Sequence, residues 1–129
     1  MSTKLVHTVI VDLNYSGYGN LRSLHPYKVP IIGFYKNRFL PEARTSLCRK
    51  KYQFRNHDEL LDKLLGMEIL KHEKPVLILT TDQYVEFYIR SQEELKDKFL
   101  IDLPKKQVLE LCLDKNKFAV FANEHQVLI

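Results

Sequence analysis

Short apolar runs alternating with amphipathic stretches predict an α/β protein, a three-layer sandwich around a mainly parallel sheet of about four or five strands. Two runs carry the prediction. Val6 to Leu13 and Pro75 to Leu79 are too short for buried helices, and both end abruptly in small polar residues. The first empties into Asn14-Tyr15-Ser16-Gly17-Tyr18-Gly19-Asn20 and the second into Thr80-Thr81-Asp82. Buried parallel strands end in this way, each delivering its carboxyl end to a ligand crevice. A third observation is that helix-start signals recur between the runs, as a strand–helix alternation requires.

Strand one covers about Leu5 to Leu13, and residues 14–20 read as a loop whose glycines let backbone N–H groups approach a ligand. Asn20 to Leu24 supports a short helix that stops near His25-Pro26. Val29 to Tyr35 is the second strand, with Pro30 near its start where a missing N–H is tolerated. Residues 37–46 keep neither period and contain Pro41, so an irregular connection with one helical turn is expected. Lys51 to Phe54 alternates in aromatics and is flanked by charge, the pattern of a short edge strand.

Asn56 and Glu59 form a capping-box pair that starts a helix with Leu60, Leu61, Leu64 and Leu65 on one face. Gly66 weakens the middle of that segment, which is expected to bend before Ile69 and Leu70. After strand four, Thr80 and Gln83 make a second capping-box pair, and Tyr84, Val85, Tyr88 and Ile89 supply the apolar stripe. Ser91 with Glu94 restarts a turn that carries Leu95 to the core, followed by a short fifth strand at Phe99 to Ile101. Pro104 opens a helix with Val108, Leu109, Leu111 and Cys112 in phase, and Asp114 opens another that buries Phe118, Phe121 and Ala122. The expected strand order is 3-2-1-4, with the fifth strand beyond.

At 129 residues the chain is one domain, and its 45% hydrophobic and 28% charged residues exclude a disordered class. No apolar run approaches the roughly 18 residues of a membrane span, and His7, Thr8 and Asp12 interrupt what would be a signal-peptide core. Cys48 and Cys112 lack ligand spacing and read as small buried hydrophobes. A cytoplasmic protein is expected. The net charge of +4 is concentrated only at Arg49-Lys50-Lys51, which reads as a solvated strand edge, so neither nucleic acid nor a membrane is an expected partner.

Gly17 and Gly19 match the dinucleotide fingerprint weakly, because its third glycine falls at Arg22. Lys36 and Arg38 stand where a ribose-binding carboxylate belongs and would suit a 2′-phosphate, which keeps NADP as an alternative. The other reading of the two glycines is a tight βα turn that holds no ligand. Asp82 complements a helix dipole or, with Thr80 and Thr81, lines a crevice for a polar or amine-bearing small molecule. Asp12 is expected to bond backbone groups of the segment that follows it. The five histidines are scattered away from other ligand types, which argues against a metal site, and Ser16 has Asn14 where a nucleophile elbow needs glycine. No catalytic residue is expected in this segment.

Four segments in order resemble the amino-terminal, Rossmann-like domain of ATP-grasp carboxylate-amine ligases, near D-aspartate ligases and proteins similar to the carbamoyl-phosphate synthase large chain. They are Tyr15 to Gly19, Thr45 to Tyr52, Pro75 to Tyr84 and Leu113 to Phe118. The resemblance implies a pre-ATP-grasp domain over residues 1–125, with 126–129 beginning a hinge to an ATP-binding domain. It implies Mg-ATP activation of a carboxylate as an acyl phosphate in the full enzyme, attacked by an amine, with no cofactor in this segment. It implies a small carboxylate or amine substrate held by Ser16, Gly17, Gly19, Thr81 and Asp82. The other readings are a stand-alone nucleotide or NADP-binding module and an interaction domain using Val127 to Ile129.

Overall fold

The computed structural model describes residues 6–101 and Val120. Strands β1 (Thr8–Val11), β2 (Ile31–Tyr35), β3 (Lys50–Gln53) and β4 (Val76–Leu79) form one parallel sheet in the order β3-β2-β1-β4. The expected fold class and strand order are therefore observed. Leu100 bridges Val76 in parallel, so the fifth strand reduces to a single bridge beyond β4, held by two backbone bonds to Pro75 and Leu77.

β1 is buried along its length because it is central, and its side chains alternate between two apolar layers. Val9 and Val11 join Ile32, Phe34 and Leu77 beneath helices α2 (His57–Leu65) and α3 (Asp82–Arg90). Ile10 points the other way, with Leu13 and Ile31, against Leu21 of helix α1 (Tyr15–Leu24). Three layers result. Phe34, Phe54, Phe87 and Phe99 are fully buried, each stabilising the fold by about 1.5–3 kcal/mol through area removed from water. A short helix α4 (Gln92–Leu95) closes one end by burying Leu95.

Several expectations need correction. The segment after β1 is not a loop: Asn14 caps α1 from its side chain, and Tyr15 to Gly19 are the first residues of the helix. Asn, with β-region backbone and a short acceptor, satisfies a helix-start N–H that a glycine loop would have left for a ligand. Gly66 does not weaken a helix middle but ends α2, its N–H bonded to Asp62, and a 3₁₀ turn at Glu68–Lys71 follows. Asn56 accepts from the Glu59 N–H as expected, but the Glu59 carboxylate pairs with Arg55 and Lys63 instead of reaching back. The connection over residues 37–46 contains a 3₁₀ turn at Pro41–Arg44. The expected helices from Pro104 and Asp114, Cys112, the hinge at 126–129 and the apolar tail lie outside the described residues.

Gly17 is required by packing. A Cβ there would sit 1.9 Å from the Asp12 carbonyl oxygen and 3.2 Å from Ile10 Cγ2, whereas one at Gly19 would meet nothing within 4 Å. Helix α1 can approach β1 this closely only over a bare backbone. Gly17→Ala is expected to destabilise the protein by about 1–3 kcal/mol or more through overpacking. Gly19→Ala, in the same helix, is expected to stabilise it by roughly 0.5–1 kcal/mol through reduced chain entropy. Urea unfolding of the two variants checks the opposite signs.

Candidate functional site

The carboxyl edge of the sheet gathers the polar residues that follow β1, β2 and β4. Because Val11 and Leu79 are register partners, the tips of β1 and β4 emerge side by side. The Thr80 hydroxyl braces them. Its oxygen accepts from the Asp12 backbone N–H at 3.1 Å and from Asn14 Nδ2 at 3.0 Å, and the Thr80 N–H donates to the Val11 carbonyl at 2.9 Å. Asn14 uses its Oδ1 to cap α1 through the Gly17 N–H at 2.8 Å. One side chain thus fixes the start of α1 against the tip that starts α3. Both helices point their positive ends at this edge.

Beneath the tips lies a buried carboxylate. Asp12 is 8% exposed; its Oδ2 accepts from the Tyr84 hydroxyl at 3.0 Å and its Oδ1 from the Lys36 backbone N–H at 3.2 Å. Burial raises its pKa, opposed by the Tyr84 and Lys36 hydrogen bonds. The Tyr84 phenol is in turn held high by burial and by the Asp12 charge, so it remains a donor. Asp12 therefore ties β1 to β2 and α3, and the Leu13 backbone, just after it as sequence reasoning expected, adds a further hydrogen bond that lowers its pKa. The peptide bond between Val11 and Asp12 is cis.

His57 opens α2 beside α3, its ring centroid 5.3 Å from Phe87 and 6.0 Å from Tyr84. Arg90 lies 3.0 Å from Nδ1 and the Gln83 amide 3.2 Å from Nε2. A guanidinium only donates, so Nδ1 accepts, while Nε2 faces the Gln83 amide nitrogen, which is also a donor. Burial lowers the His57 pKa, and the Arg90 and Lys36 charges lower it further. This cluster was not foreseen. Its signal is faint, since Tyr84 and Phe87 serve the apolar stripe of α3 and His57 begins a different helix.

The sequence-predicted residues fall into two groups. Ser16, on the first turn of α1, and Thr81 and Asp82, at the start of α3, are exposed, and among the described residues their side chains have no hydrogen-bond or ion-pair partner. Gly17 is buried and its N–H is committed to Asn14, while Gly19 faces open space within the helix. Thr80 does not cap α3, because its hydroxyl is engaged at the tips; Thr81 occupies the cap position without a side-chain bond. An open cavity of about 370 Å³ lies between Tyr15, Tyr18 and Arg22 of α1 and Glu42, Arg44 and Thr45, and none of the sequence-predicted site residues lines it. Lys36 and Arg38 are exposed just past β2, with the Arg38 guanidinium 4.9 Å from the Phe39 ring centroid. Among the described residues no three His, Cys, Asp or Glu side chains converge to hold a metal ion, and no helix is long and apolar enough to cross a membrane.

The chain matches no protein-family model and no curated protein sequence. Its fold is similar to part of an L-amino acid ligase from Bacillus licheniformis, with a TM-score of 0.70 at 13% identity, over 98% of this chain and 32% of that one. It is also similar to part of the phosphoribosylaminoimidazole carboxylase ATPase subunit from Aquifex aeolicus, with a TM-score of 0.58 at 12% identity, over 93% and 33%. At such identities the likeness establishes the fold. The architecture expected from the resemblance to the amino-terminal domain of ATP-grasp ligases is present, and the chain spans about a third of the length of these structures.

Two outcomes follow from the site geometry. Thr80→Val leaves the Asp12 N–H and the Asn14 amide without their acceptor, and a loss of about 1–3 kcal/mol is expected in urea unfolding, with Thr80→Ser restoring most of it. His57, with its pKa below the ordinary 6.5, opposes folding when protonated. The unfolded chain binds the proton first, so His57 costs stability as pH falls through 6.5 towards the lower folded value and costs nothing above it. The stability of the wild type relative to His57→Gln is therefore expected to decline from pH 8 to pH 5, measured by unfolding at each pH.

Proposed function

We propose that this chain is the substrate-side domain of an ATP-dependent carboxylate-amine ligase, similar to D-aspartate ligases and carbamoyl-phosphate-synthase-like proteins, and is not catalytic by itself. The observation that carries the reading is the paired strand tips of β1 and β4, cross-braced at Thr80, on a fold shared with a third of an L-amino acid ligase. In the full enzyme a substrate carboxylate oxygen attacks the γ-phosphorus of ATP and ADP leaves. The amine nitrogen then attacks the acyl carbon, and phosphate departs. ATP and Mg belong to a carboxyl-terminal ATP-binding domain of the same protein, in a cytoplasmic setting.

This chain's part is to bind and orient. Ser16 and Thr81 offer hydroxyls and Asp82 a carboxylate at two helix starts, a set that suits an amine-bearing molecule with a polar tail. The asparagine-capped start of α1 and the start of α3 add positive dipole ends for the anionic part. Holding the amine near its acyl target is the largest contribution available without chemical groups of its own. Gly17 and Gly19 serve this site through the backbone path of α1. The experiment is titration of the chain with single amino acids, followed by amide NMR shifts, beside an assay for phosphate release from Mg-ATP. Saturable shifts centred on residues 14–17 and 80–83, weakened about tenfold by Asp82→Asn and without phosphate release, are the expected result. Turnover by the chain alone, or shifts elicited by NADPH at Lys36 and Arg38 instead, would overturn it.

A further inference from the structure

The amino-terminal edge of the sheet, at the opposite end from the strand tips, carries an open groove of about 660 Å³ in front of β2 and β3. Its volume is within the range of small-molecule sites. The floor is apolar: Ile31 is buried, and Val29, Pro30 and Leu47 are half-buried. The rim is basic, with exposed His25, Lys28 and Arg49, and no Asp or Glu lines the groove among the described residues. An apolar trough rimmed by the Lys28 and Arg49 cations, with the Ser46 hydroxyl and no carboxylate among its described lining residues, favours an anion on an apolar body.

Two details concern the backbone and side chains that carry these cations. Lys28 has φ 58°, a left-handed conformation that glycine or asparagine adopts at lower cost, as the residue ending the 3₁₀ turn His25–Tyr27. A lysine at this position keeps a positive charge on the rim at the expense of backbone stability. Arg49 is pinned twice: its N–H donates to the Ile31 carbonyl at 2.7 Å, and its guanidinium lies 3.3 Å from His7 Nε2. The guanidinium can only donate, so His7 accepts there and turns its Nδ1 proton to the Glu73 carboxylate. Neither Lys28 nor Arg49 has an ion-pair partner among the described residues, so both charges are available at the groove.

We propose that this groove is a second binding site, for a small organic anion, with Lys28 and Arg49 holding a carboxylate or phosphate group and Val29, Ile31 and Leu47 the apolar part. It is independent of the strand-tip site and of the ligase reading. Exposed cations are screened, so affinity is on the order of 0.1–1 mM and falls as salt is raised.

The test is an amide NMR titration of the 129-residue chain with benzoate, phenyl phosphate and the uncharged control benzyl alcohol. Saturable shifts at residues 28–31 and 46–49 with one or both anions, and none with the alcohol, are expected; the tighter anion identifies the head group. Cys48 lines the same groove, and burial pushes its thiol up to about 11, so its slow alkylation by N-ethylmaleimide should slow further when the anion is bound. Peptide mapping separates Cys48 from Cys112. Lys28→Gly is the decisive variant, because it relieves the left-handed backbone while removing the charge. A raised melting temperature together with about tenfold weaker anion binding is expected, and Arg49→Gln should weaken binding similarly. Absence of saturable shifts with both anions at 10-fold the upper affinity above, about 10 mM, overturns the proposal. So do equal shifts with benzyl alcohol, shifts centred on residues 14–17 and 80–83, or unchanged binding in Lys28→Gly.

Discussion

The hydroxyl oxygen of Thr80 is the point on which the carboxyl edge of this protein depends. It accepts from the Asp12 backbone and the Asn14 amide at once, so the direction in which the chain leaves β1 is set by a residue far along the sequence. Asn14 then passes that constraint to α1 by capping it. The tips of β1 and β4 are thereby held in one arrangement, and the exposed hydroxyls and carboxylate at the two helix starts inherit it. A binding edge built in this way is rigid in its backbone while its outermost side chains remain free to meet a ligand.

Asp12 extends the same logic inward. A carboxylate 8% exposed is costly unless its oxygens are satisfied, and here one takes the Tyr84 hydroxyl and the other the Lys36 N–H. These bonds reach α3 and the end of β2, so the group joins three elements below the tips. Its neighbour in sequence, Leu13, faces the opposite layer and is fully buried. The close crossing of α1 over the Asp12 carbonyl, possible because residue 17 has no side chain, completes the packing. Polar satisfaction and close approach thus occur at the same residue, the first at the Asp12 carboxylate and the second at its carbonyl.

The two ends of the sheet are chemically distinct. The carboxyl edge offers helix starts, hydroxyls and Asp82, whereas the amino edge offers Lys28 and Arg49 over an apolar trough. Parallel strands produce this division by directing all of their carboxyl ends one way. The carboxyl edge suits a molecule with an amine, and the amino edge suits an anion. Among the described residues no charged side chain lines both.

The alternation of short apolar runs with amphipathic segments by itself determined the class, the parallel sheet and its order, because a strand buried on both faces is continuously apolar and parallel neighbours need long crossovers, which are helical here except between β2 and β3, where a 3₁₀ turn stands. It also located the two strand tips at Asn14 and Thr80. What it could not determine was how polar residues divide between cap, brace and open site. Gly17 and Gly19 look alike in sequence, yet one faces the Asp12 carbonyl and the other open space. Thr80 and Thr81 are adjacent, yet one is bonded across the tips and the other is exposed. Asp12 with Tyr84, and His57 with Arg90, are pairs of groups that lie on different elements far apart in the chain. Local periodicity carries no information about such long-range hydrogen bonds, since only the packing of helices on the sheet decides which donors meet which acceptors.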